Sequence, residues 1–169
     1  MMMLDSLDVA LLSALTDSPR AGQLELARRL EVARATVQAR IRRLEEAGVI
    51  TGYGPDVDLD AAGQSVSAFV SLQIAQGALE ELRPALEAIP YVVEAYATTG
   101  DGDVLCRVAA PSHRGLQQAL LQLDQTPLVV RSTSVVVLST VVAPRVLPLL
   151  AQSASGVPRA PGYRPSPRP

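Results

Sequence analysis

The chain has 169 residues, which is enough for one domain or two small ones, since domains commonly hold about 50 to 200 residues. A hydrophobic share of 48% supports a packed core, and Leu, Val and Ala must fill it because only 3% of the residues are aromatic. The 15 basic residues, all Arg, and 17 acidic residues give a net charge of −2, which excludes a uniformly basic nucleic-acid coat.

Residue usage excludes several kinds of site. The single cysteine, Cys106, rules out an internal disulfide, and with one histidine, His113, no cluster of soft metal ligands can form, so we expect no metal. No nucleophile-and-base set or phosphate-binding glycine loop appears, so we expect no enzymatic activity. No apolar run approaches the roughly 18 residues of a membrane span, and the start lacks the features of a signal peptide. These features predict a cytoplasmic protein.

The first part of the chain predicts helices. Leucines at helical spacing predict the first helix over residues 6–17, with Asp5 or Ser6 as its cap. The apolar residues within 24–30 predict a short second helix, and residues 31–33 form a tight turn after it.

A third helix is predicted over residues 34–47. Val37, Ile41 and Leu44 lie at i, i+4 and i+7 and form its buried stripe. Gly48 follows in a position that suits a left-handed cap. A short helix, a tight turn and a second helix are the geometry that presents one helix to the major groove of DNA.

Positive charge is concentrated near this third helix. Between residues 20 and 43, seven arginines outnumber two glutamates. Alone, a basic helix is more often a solvated face whose arginines pair with Glu45 and Glu46. The preceding helix and turn favour a DNA-reading surface, because Gln pairs with adenine, Thr meets base edges, and Arg binds guanine or phosphate.

Arg40, closer to the buried stripe, is predicted to be structural. We predict base contacts from Thr36, Gln38 and Arg42, and phosphate contacts from Arg34 and Arg43.

The second part of the chain changes from helical to alternating periodicity. Residues 65–74 alternate apolar and polar side chains, which predicts a strand with one buried face. Further strands are predicted in YVVEAYATT, DVLCRVAA and VVRSTSVVVLSTVV, with helices after the first and third strands. This order is that of the ferredoxin-like split βαβ arrangement. Such a sheet leaves one face open, so we expect it to pack on a second copy as a homodimer.

Together these patterns predict an α+β fold with four segments. A helix-turn-helix, winged-helix-like domain is expected over 1–50, and a connector strand and hinge over 51–64. A ferredoxin-like βαββαβ domain is expected over 65–143. The segment 144–169 holds seven of the 13 prolines and is predicted to be disordered.

Three stretches carry a resemblance to a known family: LDSLDVALLSAL, LELARRLEVARATVQARIRRLEEAGVITGY and TTGDGDVLCRV. They are similar to the leucine-responsive regulatory protein and asparagine regulator family (Lrp/AsnC), over residues 4 to about 143. The resemblance implies a prokaryotic, nucleoid-associated transcriptional regulator that binds a partly palindromic operator in double-stranded DNA. It also implies a ferredoxin-like domain that dimerises through its sheet and senses an amino acid, in a homodimer or a higher oligomer such as an octamer.

The GDGD stretch at residues 100–103 has two interpretations. On its own it is a turn made of good turn formers. The family resemblance implies that this hairpin forms part of an amino-acid pocket near the interface between dimers. By position, the effector-binding candidates are Thr99, Gly100, Asp101 and Asp103, with Asp103 preferred for the α-ammonium group. No cofactor is expected beyond such an effector.

The chain departs from the family pattern at the turn. Where members usually have Gly and, two residues on, Ser, this chain has Glu31 and Ala33. A left-handed conformation at Glu31 would cost roughly 1 to 2 kcal/mol. The loss of a Ser cap would cost about another 1 kcal/mol. Ala39 also stands where a basic residue is frequent, so the operator cannot be inferred from a relative.

Two other functions stay open on sequence grounds. One is an architectural DNA-binding oligomer that needs no effector. The other is a small-molecule-binding regulatory domain without DNA binding, since ferredoxin-like domains host many roles. A regulator binds DNA with an affinity that depends on salt, and a small-molecule-binding domain without DNA binding does not. Calorimetry against amino acids separates a regulator, which binds an effector, from the architectural oligomer, which needs none.

Overall fold

The computed structural model describes residues 2–154, which fall into two compact units. Among the described residues, the first unit is formed by 2–55 together with 143–154, and the second by Asp56–Val142. The first boundary lies inside the predicted connector, and the described residues 143–154 belong to the same unit as the first helices.

Three helices form the core of the first unit, as predicted. Helix α1 spans Ser6–Asp17, α2 spans Gln23–Arg29 and α3 spans Arg34–Glu46. Their apolar stripes meet because helical spacing places every third or fourth residue on the same side. The buried residues of this core are Leu11, Ala14, Leu26, Ala27, Val37 and Leu44.

The ends of α1 and α3 follow local chemistry. Asp5, not Ser6, caps α1: its side chain accepts from the backbone N–H of Asp8, and the Asp8 side chain accepts from the backbone N–H of Asp5. Gly48 has φ +67°, so the left-handed conformation predicted after α3 is confirmed. A glycine tolerates this conformation without strain.

The second unit is a four-stranded antiparallel sheet with the strand order β2-β3-β1-β4. This is the predicted ferredoxin-like topology. Cys106 is buried in its core, where burial raises the pKa of the thiol to about 11. The elements are β1 (Val66–Ile74), α4 (Leu79–Glu87), β2 (Val92–Ala97), β3 (Val104–Ala110), α5 (His113–Asp124) and β4 (Val129–Val137).

The connector over residues 51–64 differs from the prediction, because it contains no strand. A strand needs a pairing partner, and Gly52, Gly54 and Pro55 are residue types that disfavour regular pairing. The segment ends in a turn in which the Asp58 carboxylate accepts from the backbone N–H groups of the residues two and three positions later.

The predicted disordered tail, residues 144–169, also needs correction over its first part. A further helix, α6, spans Leu147–Ser153 and contacts α1. Pro148 lies in its first turn, where a missing N–H removes no helical hydrogen bond, so the proline is compatible with a helix. The prediction for residues 155–169 falls outside the described residues.

Candidate DNA-binding and effector sites

The turn between α2 and α3 is strained. Glu31 has φ +55°, the left-handed conformation that glycine tolerates better, and it is the only described non-glycine residue with positive φ. The turn is closed by the backbone N–H of Val32, which donates to the Ala27 carbonyl at 3.0 Å. Ala33 is the N-cap of α3 and makes no side-chain cap hydrogen bond. The two expected consequences of Glu31 and Ala33 are therefore present: a left-handed non-glycine residue in the turn and a missing side-chain cap on α3.

Helix α3 turns one face into the core and another outward. Val37 and Leu44 are fully buried and hold the helix on α1 and α2. Among the predicted DNA-contacting residues, Arg34, Gln38 and Arg42 are exposed, and Thr36 is half-buried. Four of the five residues therefore lie at or near the outer face of α3. Arg34, Thr36 and Gln38 lie in its first two turns and Arg42 one turn further on, where they can reach a base edge or a phosphate.

The fifth predicted residue, Arg43, lies in an ionic cluster between α1 and α3. We call Asp5, Asp8, Arg40 and Arg43 the Asp8 cluster. The Asp8 Oδ1 atom accepts from Arg40 Nη1 at 2.8 Å and from Arg43 Nη2 at 2.7 Å. Arg40 Nη1 also lies 2.6 Å from Asp5 Oδ2. The structural role predicted for Arg40 is confirmed by these pairs.

The members of the Asp8 cluster differ in exposure. The Asp8 side chain is 0% exposed and Arg40 is 11% exposed, whereas Arg43 is 49% exposed. Burial raises the pKa of Asp5, but hydrogen bonds from Arg40 and from the Asp8 backbone outweigh this effect and hold the pKa below its usual value. Sequence reasoning missed Asp8, although a carboxylate in the first turn of an otherwise apolar helix stripe was a usable signal.

The hairpin between β2 and β3 is held at its base by hydrogen bonds. The backbone N–H of Thr98 donates to the Asp103 carbonyl at 2.9 Å, and the backbone N–H of Asp103 donates to the Leu72 carbonyl at 2.8 Å. The Asp103 Oδ2 atom accepts from the backbone N–H of Ile74 at 2.8 Å. Asp103, the preferred ammonium partner on sequence grounds, therefore already has a backbone donor.

A polar cleft lies beside this hairpin on the sheet face opposite α4 and α5. Its volume is about 490 Å³. The Gln73 side-chain amide donates to the Asp101 carbonyl at 2.8 Å, which fixes one wall. Of the predicted effector residues, Asp101 lines the cleft, while Thr99 and Gly100 are exposed in the hairpin loop. The lining residues are Ser71, Gln73, Asp101, Arg131 and Thr133.

The cleft combines opposite charges. Asp101 contributes a carboxylate and Arg131 a guanidinium. Such a pair is complementary to the α-ammonium and α-carboxylate groups of an amino acid. Sequence reasoning missed Arg131, because its place opposite Gln73 depends on the β1–β4 register, which no local motif specifies.

The rest of this open face is partly apolar. Phe69 of β1 lies opposite Val135 of β4, and Val135 is 65% exposed. Tyr96 is also exposed on the neighbouring part of the sheet. An apolar surface of this kind on one side of a sheet is typical of a protein–protein contact. Within residues 2–154, no helix is both long and apolar enough to cross a membrane.

In comparisons with known proteins, two different family models match the N-terminal and the C-terminal part of the chain. Residues 4–51 match the family described as winged helix-turn-helix DNA-binding, and residues 67–147 match the Lrp/AsnC ligand-binding domain. The regulator LrpA of Mycobacterium tuberculosis is 36% identical over 81% of this chain and 91% of its own length. The structure of Escherichia coli AsnC is 27% identical, has a TM-score of 0.80, and covers 87% of this chain and 100% of its own.

A third similar structure is a transcriptional regulator from Neisseria meningitidis solved as a complex with L-Met. It has a TM-score of 0.76 and covers 83% of this chain and 94% of its own. Its 23% identity shows a shared fold and nothing more.

The fold and the two sites define a transcriptional regulator with a helix-turn-helix DNA-binding domain and a separate ligand-binding domain. The chain belongs to the Lrp/AsnC family. Its relatives are named as transcriptional regulators, so the prediction of a non-enzymatic function is confirmed.

Proposed function

We propose that the chain is a homodimeric regulator whose two α3 helices enter successive major grooves of a partly palindromic operator. The observation that carries this proposal is the outer face of α3, which presents Arg34, Gln38 and Arg42 while Val37 and Leu44 anchor the opposite face. Half-sites about 34 Å apart match one turn of B-DNA and the two-fold symmetry of a dimer. A regulator of this kind acts on the chromosome, in the cytoplasm and in association with the nucleoid.

The residues of α3 have separate roles in this proposal. Gln38 and Arg42 read base edges, with Gln suited to adenine and Arg to guanine. Thr36 contacts a base edge or a thymine methyl group from its half-buried position near the start of the helix. Arg34 neutralises a phosphate, which positions the helix without specifying sequence.

The dimer forms through the open face of the sheet. Phe69 and Val135 are the centre of the apolar surface, and two copies related by a two-fold axis would bury it. Further contacts between dimers would give a higher oligomer such as an octamer. Several DNA-binding domains in one assembly raise the effective concentration for neighbouring half-sites.

The effector is an amino acid bound in the polar cleft. Asp101 pairs with its α-ammonium group and Arg131 with its α-carboxylate. Thr99 and Gly100, exposed in the adjoining hairpin loop, offer further groups. Asp103 acts by holding the hairpin against β1. The match of residues 67–147 to the Lrp/AsnC ligand-binding domain supports a small-molecule effector at this unit. Binding would favour one assembly state over another and so change how many domains engage DNA.

A footprint on the region upstream of the chain's own gene tests the DNA-binding part. Wild-type protein is expected to protect a partly symmetric site at moderate salt, and Gln38→Ala or Arg42→Ala is expected to lose it. If wild type protects no site, the DNA-binding proposal is wrong.

Calorimetry against the twenty amino acids tests the effector. A wild-type response that Asp101→Asn abolishes is expected, and no response from wild type would leave an effector-independent architectural role.

A further inference from the structure

The Asp8 cluster joins the DNA-reading helix to α1 through the carboxylate of Asp8, each oxygen of which accepts two hydrogen bonds. Asp8 Oδ1 accepts from Arg40 and Arg43, and Asp8 Oδ2 accepts from Arg43 Nη2 at 2.5 Å and from the Asp5 backbone N–H at 3.0 Å. Because Arg40 and Arg43 are three residues apart, they project from the same side of α3. The buried Asp8 carboxylate thus binds side chains from two successive turns of α3.

We infer that Asp8 is a positioning residue for DNA recognition, which fixes the rotation of α3 and keeps Arg43 from binding a phosphate. This inference rests on the proposed DNA-binding function of α3. It departs from the sequence interpretation of Arg43 as a phosphate contact, because a guanidinium paired at 2.7 Å with a buried carboxylate has its charge already neutralised.

The rotation of α3 needs such a constraint. The apolar stripe is anchored chiefly by Val37 and Leu44, and apolar contacts are not directional. Charge-assisted hydrogen bonds are directional. Those of Asp8 hold the side chains of Arg40 and Arg43 at a distance from the axis of α3, so they resist rotation of the helix about that axis. They therefore restrict the rotation of α3 that the apolar stripe still allows, and with it the register of Gln38 and Arg42 on the bases.

The cluster also sets the charge of the DNA-binding surface. Its two carboxylates and two guanidiniums are balanced, so it contributes no net positive charge. Removing the Asp8 charge would leave Arg43, which is 49% exposed, without its partner and able to reach a phosphate. The loss of Asp8 should then raise nonspecific attraction to DNA while lowering discrimination between sequences.

The test is a cycle of salt titrations with the full chain: wild type, Asp8→Asn, Arg43→Gln and the double variant. Each protein is titrated with a duplex selected by wild type from a randomised library and with an unrelated mixed-sequence duplex. The slope of log affinity against log salt counts neutralised phosphates, at about 0.9 for each. Arg34→Gln is the matched control, because Arg34 is an exposed arginine of α3 outside the cluster.

We expect Asp8→Asn to steepen the slope on the unrelated duplex by about 0.9 per bound protomer. Arg43→Gln alone should leave the slope unchanged, and the double variant should return to the wild-type slope. Discrimination between the duplexes should fall roughly tenfold in both variants that carry Asp8→Asn, which is the scale of one lost base contact. Arg34→Gln should reduce the slope by about 0.9 per protomer in wild type and in Asp8→Asn alike.

Two results would overturn the inference. One is a lower slope in Arg43→Gln alone, which would show that Arg43 binds phosphate while paired. This measurement leaves Asp8 intact and stands even if Asp8→Asn fails to fold. The other is a lower melting temperature in Asp8→Asn with slope and discrimination unchanged, which would give Asp8 a structural role only. Absence of salt-dependent binding by wild type would instead refute the proposed function itself.

Discussion

The carboxylate of Asp103 accepts a hydrogen bond of 2.8 Å from the backbone N–H of Ile74. The bond occurs where the pairing register between β1 and β4 shifts, between Gln73 and Ile74. At such an irregularity a ladder hydrogen bond is interrupted, and a backbone donor needs another acceptor. Asp103 supplies that acceptor and ties the β2–β3 hairpin to β1.

The two aspartates of the hairpin should therefore respond differently to substitution. Asp103→Ala is expected to lower the free energy of unfolding by about 0.5 to 1.5 kcal/mol, because the exposed backbone N–H of Ile74 exchanges a carboxylate acceptor for water. Asp101→Ala should change it by less than about 0.5 kcal/mol, since its exposed side chain makes no hydrogen bond in the described structure. Urea denaturation measures both values, and the reverse order would contradict the assignment of Asp103 as a support.

The cap of α3 offers a stabilising substitution. Ala33 has the extended conformation of an N-cap, with φ −67° and ψ 145°, but no side-chain acceptor. Ala33→Ser should supply that acceptor and raise the free energy of unfolding by about 1 kcal/mol. Thermal or urea unfolding measures this gain. Ala35→Ser, inside the helix, is the matched control, and an equal or larger gain there would show that capping is not the cause.

The Asp8 cluster should make the stability of the first unit depend on acid pH. The pKa of Asp5 is depressed below its usual 3.8, so its contribution is present above that value and is lost as pH falls through the folded-state pKa. Asp5→Asn keeps a capping side chain but should flatten the decline of stability below about pH 4. Urea midpoints measured across this range test the prediction, and an unchanged decline in Asp5→Asn would contradict it.

The contact between α6 and α1 predicts an effect of shortening the chain. A chain ending at Val142 lacks α6 and should have a lower melting temperature for the first unit, because the contact between α6 and α1 is lost. A chain ending at Ala154 retains α6 and should melt as the full chain does. Hydrogen exchange of the α1 amides locates the effect. Equal protection in both shortened chains would show that α6 contributes nothing to this unit.

Much of the fold could be predicted because it depends on local chemistry. The stripe of Val37, Ile41 and Leu44 specified α3, and Gly48 specified its end. Alternation along residues 65–74 specified β1 and the buried face of the sheet.

The features that escaped prediction depend on contacts distant in sequence. Asp8 meets Arg40 and Arg43 across 32 and 35 residues, and Arg131 reaches the cleft only through the strand register. Helix α6 was missed because composition favoured disorder, whereas its packing on α1 depends on the folded first unit. Local patterns carry no information on such pairings, which the tertiary fold decides.

The most direct test of the central claim, that α3 reads DNA sequence, is a base-preference profile of wild type and Gln38→Ala. Each position of the selected duplex is varied in turn and the relative affinities are measured at fixed salt. Gln38→Ala is expected to lose about 1 to 3 kcal/mol of preference at one symmetric pair of positions and to keep the preferences elsewhere. An unchanged profile, or an equal loss at all positions, would contradict it.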